Sequence, residues 1–159
     1  MSWMKFMLNG NAVTIEEKPG ELLVDMLRER FALTGTKAAC REGECGACTV
    51  LLDGAPVNSC MVLSSQVAGH SILTIEGLAA QDGTLDPVQQ AFLDAGAVQC
   101  GFCTPGMVMT TKALLDKNPN PTREEAAKAL SGNICRCTGY IKIIDAVMQA
   151  AELLRIKEN

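Results

Sequence analysis

Cys40-Arg41-Glu42-Gly43-Glu44-Cys45-Gly46-Ala47-Cys48-Thr49-Val50 is the stretch on which the reading of the whole chain turns. Three thiols fall within nine residues, spaced CxxxxC and then CxxC, and a fourth, Cys60, follows after eleven more residues. Gly43 and Gly46 sit between the thiols, where they permit positive φ and a close approach of the backbone. Thiolates crowded in this way repel one another unless a cation binds them, and backbone N–H groups then stabilise the negative charge that remains. The segment is therefore read as one side of a metal centre.

A rhomb of two irons and two sulfides needs two thiolates per iron. A short loop wraps one side of it and a distant cysteine closes the other, which is the plant-type [2Fe-2S] spacing. Cys40, Cys45, Cys48 and Cys60 are thus candidate ligands, and Gly43 and Gly46 the loop backbone facing a cluster of charge about −2 when oxidised and about −3 when reduced. The competing reading is a structural zinc on the same four cysteines, although structural zinc usually takes two CxxC-like pairs.

Composition narrows the function class. The chain has 159 residues, the size of one domain or two small ones. Its 14 basic and 18 acidic groups give a net charge of −4. Residues 1–79 carry 6 basic and 9 acidic groups and residues 80–159 carry 8 and 9, so neither half is a basic nucleic-acid surface. One Trp, one Tyr and four Phe leave no platform for stacking bases. No uncharged apolar run approaches the roughly 18 residues a membrane span needs. Lys5 and Asn9-Gly10-Asn11 interrupt the start before the apolar core of a signal peptide could form. A cytoplasmic location is expected, and eight thiols in that reducing compartment point to metal rather than disulfides.

The flanking sequence predicts two kinds of structure. Lys5 to Leu8 and Ala12 to Ile15 flank Asn9-Gly10 as a hairpin, and Thr49 to Leu52 and Ala55 to Asn58 flank Asp53-Gly54 as another. Leu22, Leu23, Met26, Leu27 and Phe31 recur at helical spacing, and Ser71 to Ile75 reads as a further strand. After Gln81-Asp82-Gly83 the period becomes helical. Asp86 caps a helix with Pro87 in its first turn and Gly96 at its end, and Thr104-Pro105 opens a second that closes at Asn118-Pro119. Thr122 and Glu125 form a capping box for a third, ending near Ser131-Gly132, and Ile141 to Leu154 mark a fourth. The fold class is α+β: a sheet packed on one helix over residues 1–79, then an all-α four-helix bundle over residues 80–159.

Cys100-Gly101-Phe102-Cys103 and Cys135-Arg136-Cys137 form a second thiol group in the helical half. Two short chelating pairs suit zinc as well as an iron–sulfur cluster. Cys103 precedes one helix start and Cys137 another, which would aim two positive dipole ends at the site. A zinc tetrathiolate is also dianionic, so spacing and dipoles leave both readings open.

CREGECGACTV (40–50), VQCGFCTPG (98–106) and GNICRCTGY (132–140) together resemble the small iron–sulfur subunit of the molybdenum hydroxylases, the family of xanthine dehydrogenase, aldehyde oxidoreductase and carbon monoxide dehydrogenase. The resemblance covers nearly the whole chain and finds a place for all eight cysteines. It implies a β-grasp ferredoxin-like domain with one [2Fe-2S] cluster on Cys40, Cys45, Cys48 and Cys60, and a helical domain with a second on Cys100, Cys103, Cys135 and Cys137. It implies further that the second cluster lies beside the molybdopterin cofactor (Mo) of a large partner subunit, with Gln99 and Cys137 approaching the pterin. The first cluster would face FAD on a medium partner subunit. A chain stopping at Asn159 resembles the separate-subunit members rather than the fused ones.

Other residues carry simpler readings. His70 is the only histidine, which excludes a Rieske centre. No GxSxG or GxGxxG is present, and Asp25, Glu29, Glu42, Glu44, Glu124 and Glu125 read as solvated faces or caps, so no catalytic residue is assigned. The eight methionines read as core filling, and Arg41 and Arg136 as cations in the cluster loops. The expected function is electron transfer within a molybdenum hydroxylase-type complex. The alternative is a free two-cluster ferredoxin that meets its partners transiently.

Overall fold

The computed structural model describes residues 2–157. Strand β1 (Trp3–Leu8) turns at Asn9 and Gly10, both at positive φ, into β2 (Asn11–Glu16). Strands β3 (Thr49–Leu52) and β4 (Ala55–Asn58) form the second hairpin, and β5 (Ser71–Leu73) completes a five-stranded sheet of order β2-β1-β5-β3-β4. The sheet is mixed: β1 and β5 run parallel, and the other pairs are antiparallel.

Two elements depart from the sequence reading. The helix expected around Leu22 to Phe31 is a single α-turn, α1 (Leu23–Asp25), which widens into a π-turn over Met26–Arg30. It still lies on the sheet, with Leu23, Met26 and Leu27 fully buried against Met4, Phe6, Leu8 and Ile72. Strand β5 ends at Leu73 instead of reaching Ile75. The side chain of Asn9 takes the Thr74 backbone N–H at 2.8 Å and bonds its hydroxyl at 3.0 Å, which draws Thr74 off the ladder. A 3-10 turn, Ile75–Gly77, follows.

The helical half begins at α2 (Pro87–Asp94), whose cap Asp86 accepts from the Val88 N–H at 2.8 Å while Gln89 takes the Asp86 N–H. α3 spans Thr104–Lys117, α4 spans Arg123–Ala129 and α5 spans Ile141–Lys157. α4 opens on the expected Thr122–Glu125 capping box and runs into a 3-10 turn, Leu130–Gly132. Val88, Phe92, Met107, Ile143, Val147 and neighbouring alanines form a second core. Each large side chain so buried contributes roughly 1.5–3 kcal/mol. Among the described residues, no helix is long and apolar enough to cross a membrane.

The halves meet on β3. Val50 faces the core under α1, whereas Leu51 packs with Met109 and Ala113 of α3 on the other face of the sheet. This explains the apolar run Val50-Leu51-Leu52: a strand covered on both sides loses the polar alternation of a half-exposed one.

Candidate metal centres

Cys40, Cys45 and Cys48 of the first thiol group lie in the loop between the Met26–Arg30 π-turn and β3. Gly43 and Gly46 have φ of 78° and 66°, and Arg41, not a glycine, is also at 59°. Arg41 is held in that conformation by a bidentate pair with Asp25, at 2.7 and 3.0 Å. Asn58 bonds the Gly43 carbonyl at 2.7 Å, and the Ser59 hydroxyl bonds the Cys48 carbonyl at 2.7 Å, so the 3-10 turn Ser59–Met61 carries Cys60 to the loop. Cys48 and Cys60 are buried, and Cys40 and Cys45 are half-buried.

The loop amides point at sulfur. Backbone N–H groups of Glu42, Cys45 and Glu44 lower the Cys40 pKa to about 6, and the Glu42 N–H stands 3.4 Å from its Sγ. Burial pushes the Cys48 thiol up to about 11, with Cys60 as its neighbour.

The second group repeats this pattern. Cys103 is the cap residue of α3, and its carbonyl accepts from the Met107 N–H at 3.0 Å. Cys135 is opposed by burial, yet the Thr138 hydroxyl and N–H, at 3.1 and 3.4 Å, and the Cys137 N–H bring it down to about 7. Burial raises Cys103 to about 12, with Cys135 adding to it. Cys100 and Cys137 are exposed, with their sulfurs 3.6 Å apart, and contact with Cys100 raises the Cys137 thiol. α5 starts at Ile141, so the amides serving Cys135 belong to the loop ahead of it and not to the helix end itself.

All eight thiols thus meet in twos: Cys40 with Cys45, Cys48 with Cys60, Cys100 with Cys137 and Cys103 with Cys135. Among the described residues, no three Cys, His, Asp or Glu side chains converge on one point as ligands of a single ion. Two-and-two is the donor arrangement a two-iron rhomb asks for, since sulfide completes each iron. Two thiols in contact do not both ionise readily, so a metal that binds both must displace their protons. The donors fit [2Fe-2S] clusters.

The chain is similar to the small iron–sulfur subunits of molybdenum hydroxylase-type dehydrogenases and to part of longer aldehyde oxidoreductases. Residues 6–74 match the 2Fe-2S iron-sulfur cluster binding domain family and residues 74–148 match the [2Fe-2S] binding domain family. The small FeS subunit of nicotinate dehydrogenase from Eubacterium barkeri is 58% identical over 145 residues, covering 91% of this chain and 92% of the relative. Quinoline 2-oxidoreductase from Pseudomonas putida 86 superposes with a TM-score of 0.93 at 44% identity, covering 99% of this chain and 98% of that one. Aldehyde oxidoreductase from Desulfovibrio desulfuricans superposes with a TM-score of 0.94 at 47% identity, but this chain spans only 18% of its length. The chain belongs to the small [2Fe-2S] subunits of the molybdenum hydroxylase family, and its function is electron transfer.

Gln99 is exposed beside Cys100. Two residues escaped the sequence reading. Tyr140 accepts the Cys135 N–H on its hydroxyl at 2.9 Å, and Asn133 is buried between the two thiol loops. Both lie in the stretch GNICRCTGY, where the cysteines drew attention away from the polar side chains flanking them.

Proposed function

We propose that this chain carries electrons from a molybdopterin centre on a large partner subunit to FAD on a medium one, with Cys40, Cys45, Cys48 and Cys60 holding one [2Fe-2S] cluster and Cys100, Cys103, Cys135 and Cys137 the other. Such clusters, when bound, supply one-electron oxidation and reduction. The chain's own residues supply thiolates, N–H donors and burial, the levers that set a cluster's potential. In this reading the sheet half is a β-grasp domain and the helical half a four-helix bundle, with the boundary after Ala79.

One observation carries the proposal. The exposed thiols Cys100 and Cys137 share a pocket with Phe102 and Ile134, and these side chains, with Tyr140 and Ile141 a few residues further along the chain, are large, apolar and 36% to 66% exposed. A collar of this kind beside a redox centre suits a stable apolar interface better than the small, wet contact of a transient carrier. Electrons would therefore arrive on the Cys100 and Cys137 side, where Gln99 and Cys137 approach the pterin, and leave through the Cys40 loop. The cytoplasm is the compartment that suits eight reduced thiols.

The test is isolation of the untagged protein from its native host under anaerobic conditions. The expected result is a complex with molybdenum- and FAD-binding chains and four irons per copy of this chain. A chain eluting alone, or one holding zinc, would refute the proposal. Cys103→Ser should erase one cluster signal, spare the other and block reduction of the acceptor.

A further inference from the structure

Asn133 is 5% exposed and uses both ends of its carboxamide. Its Oδ1 accepts from the Thr110 hydroxyl of α3 at 2.8 Å. Its Nδ2 crosses to the other half of the molecule, donating to the Gly46 carbonyl at 3.0 Å and reaching Thr49 Oγ1 at 3.3 Å. Thr49 in turn donates its hydroxyl to the same carbonyl at 2.7 Å, leaving its lone pair free to accept from Asn133. The next residue repeats the crossing, with the Ile134 N–H donating to the Cys45 carbonyl at 2.9 Å. Consecutive residues just before Cys135 thus bond consecutive residues of the first thiol loop.

The approach is as close as backbone allows. A Cβ built on Gly106 would stand 2.2 Å from the Gly46 carbonyl oxygen, and one on Gly46 would stand 2.3 Å from that of Gly132. Between these glycines the carboxamide is the one side chain here that presents a donor to the first loop and an acceptor to α3. A carboxylate of the same shape would turn an oxygen toward the Gly46 carbonyl, and an apolar side chain would bond neither partner.

We propose that Asn133 is a positioning residue that fixes the separation of the two cluster loops, and with it the distance an electron covers between them. The inference rests on the reading that both loops hold clusters. Electronic coupling between two centres falls steeply with separation, so a small shift along this seam would slow transfer without removing a ligand.

The experiment uses the native complex carrying Asn133→Asp, Thr110→Val or Thr110→Ser. Iron content, the paramagnetic signal of each cluster and the spin–spin splitting seen when both are reduced are measured on each. Asn133→Asp and Thr110→Val should keep all the iron and both signals but lose the resolved splitting, and Thr110→Ser, which keeps the hydroxyl, should retain it. Splitting unchanged in the first two variants overturns the inference, as does a loss of splitting in both that always accompanies loss of iron. A wild type lacking two signals would overturn the relay itself, and this inference with it.

Discussion

The hydroxyl of Tyr140 accepts the backbone N–H of Cys135 at 2.9 Å, so the residue that ends the second thiol loop also closes it. Tyr140 sits at a φ of 68° to make this contact, in a region costly for a side chain of its size. Tyr140→Phe keeps the ring and removes the acceptor. The orphaned donor should cost about 1 kcal/mol, the low end of the usual range, because Tyr140 is 36% exposed and water reaches its place. Chelator-driven loss of iron should accelerate for the second cluster alone, and equal decay of both signals would contradict this.

Glycine 46 faces a harder constraint than the turn glycines. Gly46→Ala combines a φ of 66° with a built Cβ 2.3 Å from the Gly132 carbonyl. Gly10→Ala has a φ of 80° and no atom within 4 Å of its Cβ. The second should cost about 1–2 kcal/mol from backbone conformation alone, and the first should exceed it by about 1–3 kcal/mol of overpacking. Thermal unfolding of the two variants side by side measures the difference.

The apolar collar makes a prediction about assembly. Phe102→Ala and Ile134→Ala remove side chains 46% and 55% exposed from the pocket that holds the second thiol group without replacing a thiol. Each should weaken association with the proposed molybdenum-binding partner by about 1–3 kcal/mol, roughly five- to 150-fold. Iron content should stay at the wild-type value. Dissociation on dilution, followed by light scattering, reads the effect.

Acid should act through the α4 cap. Backbone and hydroxyl bonds from Thr122 hold the Glu125 carboxyl below its ordinary value, so its ionised form is favoured in the folded state. That contribution is fully present above the unfolded pKa and disappears as pH falls through the lower, folded one. Glutamine also serves at this position of a capping box, without a titrating group. Glu125→Gln should therefore unfold at a temperature that changes less between pH 5 and about pH 3 than the wild type does, as melting curves at each pH would show.

Much of this was legible because the signals are local. The Asn9-Gly10 and Asp53-Gly54 hairpins and the Asp86 and Thr122 caps depend on neighbours within a few positions, and each stands where the pattern placed it. What escaped depends on distant partners. Strand β5 is cut short by Asn9, 65 positions from Thr74, and Asn133 meets Gly46 across 87. The π-turn over Met26–Arg30 leaves the same apolar residues facing the sheet as an α-helix would, so periodicity could not distinguish them. The two-and-two meeting of the thiols was likewise invisible, since spacing gives the membership of each group but not who touches whom.

Strand β3 is a party wall. With Val50 furnishing one room and Leu51 the other, neither side has plaster of its own behind it. Producing residues 1–79 as a miniature electron carrier would leave Leu51 and Leu73 bare to water, a surface that invites clumping. Anyone borrowing this protein for an artificial redox circuit should transplant both rooms together.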